Sequence, residues 1–283
     1  MKLQLKDAEL DLSTPVVMGV LNVTPDSFSD GGHWADVSRA CAHAWAMTDE
    51  GAKIIDIGGE STRPGAQPVS ELEELQRVIP VIERLIAERL PAFISIDSMK
   101  PEVMRTALAA GASMLNDVNA LRAAGALEVA IQSGAAVCLM HMHGNPADMQ
   151  NRPMYADVIR EVIDFLLGRV EVCTAAGLSK ERIVVDPGFG FGKTLEHNLA
   201  LLARLGRLTA LGFPVLVGMS RKSMLGAILD VSAEERGHGH SAAVAIAVMQ
   251  GVKILRTHDV RATVHAAKIA ESVRQAAEKM RTQ

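Results

Sequence analysis

Eight short runs of apolar, largely β-branched residues recur along the chain, at residues 16–23, 54–57, 93–96, 114–115, 136–142, 183–185, 215–217 and 254–255. They are almost continuously apolar rather than alternating, as strands buried on both faces of a parallel sheet read. Helical periodicity fills the gaps. Leu72, Leu75, Val78, Ile79, Ile82, Leu85 and Ile86 mark one helix face, with Pro80 inside it predicting a kink or a break. A second helix is expected over residues 157–173, with Val158, Ile159, Val162, Ile163, Leu166 and Val170 facing inward. Eight strand-then-helix units favour a closed (β/α)8 barrel over a doubly wound open sheet. No linker divides the chain, so residues 1–283 are expected to form one domain. Alternation over residues 3–12, with a turn near Asp7-Ala8, predicts a β-hairpin ahead of the barrel, placed to plug its bottom.

With 48% apolar residues and a formal charge of −4, the chain can bury a large core and offers no basic surface for nucleic acid or an anionic membrane. No apolar run approaches a membrane span, and Cys41, Cys138 and Cys173 are too few and too scattered for a disulfide framework. Buried free thiols and a cytoplasmic location are expected.

Nearly every strand ends in a polar or ionisable residue: Asn22, Asp56 with Glu60, Asp97, Asn116 with Asp117, His141, Asp186, Ser220 with Lys222, and Arg256 with His258. Any one Asp, Asn or Ser there is commonly just the N-cap of the next helix. A set that includes Arg, Lys and His is not a row of caps, and in a barrel these ends converge on one mouth, where active sites lie. The stretch from Asn22 to Gly32 is a Gly-, Ser- and Asp-rich loop carrying Phe28, in the style of a lid. Gly58 to Gly65 sets Arg63 among small residues, suited to a planar or phosphate anion or simply solvated. Asp186-Pro-Gly-Phe-Gly-Phe-Gly-Lys193 reads either as backbone closely approaching a flat ligand or as a plain loop with core phenylalanines. It does not match the dinucleotide fingerprint. Ser220-Arg221-Lys222-Ser223 opens a helix, and Arg256 and His258 share a strand face, so an anion site after strands 7 and 8 is expected. The pair His141/His143 and the pair His238/His240, the latter expected in a loop, lack a third ligand at zinc spacing, and hydrogen-bonding roles are expected for them.

Six stretches together resemble the dihydropteroate synthases of the pterin-binding barrel superfamily: residues 19–32, 56–65, 95–98, 116–117 and 186–193, and Ser220-Arg-Lys-Ser223 with Arg256-Thr-His-Asp259. The resemblance implies condensation of 6-hydroxymethyl-7,8-dihydropterin diphosphate with p-aminobenzoate, with Mg2+ on the diphosphate. It implies Asn22 at the metal–diphosphate, Arg256 and His258 on the same anion, and Thr62 on the substrate. Asp97, Asn116 and Asp186 would read the pterin, and Lys222 would donate to its ring. Ser220 would hold the aminobenzoate carboxylate, replacing the phosphate that the motif alone suggests there. Phe28, Arg63, Pro64 and Phe191 would shape the aminobenzoate pocket. No covalent enzyme intermediate is implied, and a homodimer through late helices is, compatible with Ala262, Val264, Ala266, Ala267 and Ile269. His143 and His240 depart from the family's usual residues, outside the matched ligand positions.

Three rival readings remain at the level of sequence. A pterin-binding methyltransferase would share the pterin readers but has no need of Arg63, Arg256 or His258. A Schiff-base aldolase would use Lys222 as nucleophile, although that residue falls just past its strand. A non-catalytic pterin-binding protein differs only in lacking turnover.

Overall fold

A computed structural model describes residues 1–24, 32–61, 67–144, 149 and 153–281. A two-stranded antiparallel hairpin, β1 (Lys2–Gln4) and β2 (Glu9–Asp11), precedes eight parallel strands. These are β3 (Val16–Asn22), β4 (Ile54–Gly58), β5 (Phe93–Asp97), β6 (Met114–Asp117), β7 (Ala136–Met140), β8 (Ile183–Asp186), β9 (Leu216–Gly218) and β10 (Ile254–Thr257). Helices α1 (Gly32–Asp49), α2 (Glu71–Ala87), α3 (Pro101–Ala110), α4 (Ala126–Ser133), α5 (Val158–Ala175), α6 (Leu195–Ala203), α7 (Gly206–Thr209), α8 (Ser223–Leu229), α9 (Gly237–Met249) and α10 (Val260–Arg281) fill the intervals. The sheet order is β8-β7-β6-β5-β4-β3-β10-β9, and a parallel bridge from Val185 to Val215 links its two ends. The expected closed barrel and leading hairpin are both present.

The strand expected to reach residue 142 stops at Met140, so His141 and Met142 belong to the mouth. Helix α2 begins at Ser70, whose hydroxyl accepts from the Glu73 amide, and three acidic residues in its first turn suit the helix dipole. It runs unbroken through Pro80, which removes only the hydrogen bond to the Gln76 carbonyl. Its buried face is Glu74, Val78, Val81, Ile82 and Leu85, whereas Leu72 and Ile86 point outward, at 67% and 46% exposure. The stripe drawn from apolar residues alone was therefore too wide. In α5, capped by Asp157 on the Ile159 and Arg160 amides, Val158, Val162, Leu166 and Val170 are buried, and Ile159 and Ile163 are half-buried.

Two large apolar layers result, with a small third cluster of Val118, Met140, Met142 and Met149 beside them. One lies between strands and helices. The other fills the barrel floor, where Leu3, Leu5, Leu10 and Leu12 of the hairpin region pack on Met18, Ile54, Met114, Cys138, Val184, Leu216 and Ile254. Arg182 Nη1 donates to the Leu5 carbonyl (2.8 Å) and fastens the plug. The three cysteines are free and buried. Of the late-helix residues expected at a dimer face, Ala267 is buried in the core while Ile269 is 71% exposed. Among the described residues, no helix is long and apolar enough to cross a membrane.

Because Leu5 is almost wholly buried in this floor, Leu5→Ala should cost about 2–5 kcal/mol by chemical denaturation. Ligand binding at the opposite end should stay within about twofold of wild type.

Candidate active site

A parallel barrel turns every strand's C-terminal end to the same side, and alternation aims every second side chain inward. Asp56 and Arg256 thereby meet although 200 residues apart: Arg256 Nε donates to Asp56 Oδ2 at 2.6 Å. The terminal Nη2 of the same guanidinium reaches Asp97 Oδ2, also at 2.6 Å. Asn116 Nδ2 donates to Asp56 Oδ2 at 2.8 Å. Asp186, nearly buried at the end of β8, accepts from the Gly188 amide at 2.7 Å. Asn22 ends β3 beside Gly58, half-buried. Thus Asn22, Asp97, Asn116, Asp186 and Arg256 stand on strands around one mouth, with Ser220, Lys222 and His258 just beyond it. Phe28, Thr62, Arg63 and Pro64 lie outside the described residues.

Burial sets the electrostatics. Desolvation lifts the Asp97 carboxyl to about 7 against the pull of Arg256, with Asp56 adding to the rise, and burial raises Asp186 too. Burial likewise lowers the Lys222 ammonium to about 8, opposed by Asp186. Lys222 donates to the Phe189 carbonyl and lies 4.1 Å from the centre of the Phe191 ring. His258 is tied to Ser220, whose Oγ accepts from its backbone amide (3.2 Å) and contacts its Nδ1 (3.1 Å). The strand-7 and strand-8 ends thus form one cluster. The Ser220 hydroxyl expected to meet a carboxylate is already engaged there.

The loop from Asp186 to Lys193 resolves its two readings residue by residue. Phe189 is a core side chain, 1% exposed, while Phe191 is half-buried beneath Lys222. Gly188 has φ of +68°, and a Cβ there would sit 2.0 Å from the His141 carbonyl oxygen, so only glycine fits. Lys193 closes the loop from inside. Its ammonium contacts the Gly188 carbonyl (2.9 Å), the Phe191 carbonyl (3.0 Å) and His141 Nδ1 (2.9 Å). Burial draws Lys193 to about 7 and His141 to about 3, consistent with a neutral imidazole accepting at Nδ1.

Other strand-end residues are structural. Asp117 accepts from the Asn119 and Leu121 amides, both at 2.7 Å, and is a turn cap. Glu60 accepts from Val69 and, with the fully buried Glu74, holds Lys100. His238 and His240 lie at the start of α9 rather than in a loop. His238 is exposed, and His240 is buried between Thr257 and Thr263, each 3.1 Å from its Nε2. His143 is exposed while His141 faces Lys193, so neither pair forms a metal clamp. Among the described residues no cluster of three His, Cys, Asp or Glu side chains suits a metal. Sequence reading left Asp56 and Lys193 without roles. The signals were a lone carboxylate inside an apolar strand and a lysine closing a glycine loop.

A closed parallel barrel with buried hydrogen-bond acceptors and two cations at its mouth agrees with the comparisons. The family model described as pterin binding enzyme matches residues 18–258, and the chain belongs to that family. It is 52% identical to the dihydropteroate synthase of Escherichia coli K12 over 281 residues, covering 99% of each chain. The Yersinia pestis dihydropteroate synthase, solved with a sulfonamide drug complex, superposes with a TM-score of 0.92 at 50% identity, covering 97% of this chain and 100% of that one. The Xanthomonas albilineans dihydropteroate synthase in complex with 7,8-dihydropteroate gives 0.88 at 46% identity, covering 96% and 98%. Within the pterin-binding enzymes, its branch is that of the dihydropteroate synthases.

Gly188→Ala should destabilise the protein by more than about 1 kcal/mol in chemical denaturation, from left-handed backbone alone. The clash with His141 adds to that cost.

Proposed function

We propose that this mouth joins 6-hydroxymethyl-7,8-dihydropterin diphosphate to p-aminobenzoate, giving 7,8-dihydropteroate and diphosphate. The observation that carries the reading is the convergence of Asp97, Asn116 and Asp186, all largely buried, with Lys222 and Arg256 on one barrel end. Identity of about half over nearly the full length of a dihydropteroate synthase, and a solved relative holding 7,8-dihydropteroate, support it.

The pyrimidine half of a pterin carries adjacent N–H donors, and buried carboxylates accept them and leave analogues that lack them unpaired. Asp186 and Asn116 read that edge, Asp97 accepts from the other ring, and Lys222 donates to the ring carbonyl or a ring nitrogen. Phe191 lines the neighbouring space. The bond from the methylene carbon to the diphosphate oxygen breaks, and its electron pair leaves with diphosphate. The aminobenzoate nitrogen then forms the new C–N bond and releases a proton. Cation character at the methylene spreads into the pterin ring, so the protein's task is to stabilise departing negative charge. Arg256 and His258 do so. Thr62 contacts the substrate, Ser220 and the start of α8 face the aminobenzoate carboxylate, and Phe28, Arg63 and Pro64 complete that pocket. No residue serves as a covalent nucleophile.

Magnesium fits this site only as a passenger on diphosphate. Asn22 offers one neutral oxygen, and Mg2+ commonly binds through one or two protein oxygens, phosphates and water. Bound there it supplies positive charge to the leaving group. A homodimer through α9 and α10 is part of the reading, supported by the exposed Ile246, Met249, Ile269 and Val273, as is a cytoplasmic location, supported by three free cysteines.

Purified protein given both substrates and Mg2+ should yield dihydropteroate by mass. Asp186→Asn should lower kcat/KM by about tenfold to hundredfold, and absence of product despite dihydropterin binding would sink the synthase reading. The pH profile follows from two groups. Asp97 takes up a proton as pH falls through about 7, losing its charge as acceptor, and Lys222 loses its proton as pH rises through about 8, ceasing to donate. Dihydropterin affinity measured by calorimetry should therefore peak between those values and fall on both sides. A flat profile would contradict these roles.

A further inference from the structure

We infer that Asp56 is a positioning residue of the pterin site, aligning Asn116 and Arg256 through a single carboxylate oxygen without itself touching the ligand. The inference rests on the dihydropterin reading above and adds to it a residue that makes no ligand contact.

Asp56 is fully buried, with no exposed surface, in the middle of the apolar β4 run. Its Oδ2 takes two bonds, from Asn116 Nδ2 at 2.8 Å and from Arg256 Nε at 2.6 Å. Both donors belong to side chains that line the mouth, and they come from opposite sides of β4, on β6 and β10. Its Oδ1 is buried and has no hydrogen-bond partner among the described residues. An unpaired buried oxygen is costly, and an apolar side chain of similar size would avoid that cost. Asp117 shows the contrast, since each of its oxygens takes a backbone amide. What Asp56 fixes is orientation.

Carboxylate oxygens only accept, so the Asn116 amide must turn its nitrogen toward Asp56. The Asn116 carbonyl oxygen and second N–H are then left for the ligand. That adjacent acceptor–donor pair matches the amino group and neighbouring ring nitrogen of a 2-aminopyrimidine. At Arg256, occupation of Nε by Asp56 and of Nη2 by Asp97 fixes the plane of the guanidinium. Its remaining N–H groups are left for an anion. One residue thus sets both ends of the pterin diphosphate site, the ring edge and the leaving group.

The test uses Asp56→Ala, which removes the charge and the shared acceptor together. Asp56→Ser, which removes the charge without adding bulk, is the second variant. Calorimetry with 6-hydroxymethyl-7,8-dihydropterin should show affinity reduced about tenfold or more in both, the loss of one charge-assisted bond. The KM for p-aminobenzoate at saturating pterin diphosphate should stay within about twofold, a split that general loosening of the fold would not produce. Circular dichroism and thermal melting confirm that each variant is folded before it is titrated. Dihydropterin affinity unchanged in either folded variant, or equal losses for both substrates, would overturn the inference. A wild type that fails to bind the dihydropterin would instead overturn the functional reading.

Discussion

The ion pairs that Arg256 makes with Asp56 and Asp97 allow this barrel mouth to exist. Three carboxylates, the buried Asp56 and Asp186 and the partly buried Asp97, crowd one end of a barrel whose core is apolar. Without cations beside them they would repel one another across a medium that screens poorly. Arg256 reaches two of them, and Lys222 and Lys193 both pull on Asp186. The sheet order makes this possible, because β10 pairs with β3 and β3 with β4, bringing the chain's last barrel strand within a side chain's reach of its second. Charge that is costly to bury is thereby held ready to receive a polar ring and an anion.

Backbone carries the other half of the design. The segment after β8 winds through three left-handed glycines, and Lys193 bonds the carbonyls that this winding turns inward. Phe189 is thus sunk in the core while its carbonyl receives Lys222, and Phe191 sits under the Lys222 ammonium. A lysine drawn down by burial, an aromatic face and a nearby carboxylate are placed by one loop. Rigid placement of this kind limits the ordering that a ligand must pay for on binding.

Much of this was legible in the chain. Strands buried on both faces leave an unmistakable apolar run, and the polar residue closing each run marked the mouth before any geometry was known. Asn116, Asp186 and Arg256 were found that way, and the hairpin was found from its alternation. Pairing across the barrel was not legible, since Arg256 lies 200 residues from Asp56 and 159 from Asp97. For that reason Arg256 read as an anion ligand alone and Asp56 as one more strand-end acid. The inward face of α2 was misjudged because a buried Glu74, paired with Lys100, does not look like a core residue in a one-dimensional pattern. His240 was placed in a loop because the Gly-His-Gly-His stretch resembles one, although burial against Thr257 and Thr263 starts a helix there.

The most direct measurement is a crystal structure of the protein with 6-hydroxymethyl-7,8-dihydropterin bound. The pyrimidine edge should lie against Asp186 and Asn116, with Asn116 Nδ2 still held by Asp56 and Lys222 donating to the ring. A ring lodged away from these acceptors, or an Asn116 amide turned off Asp56 to meet it, would contradict the claim that buried, pre-aligned acceptors read the pterin.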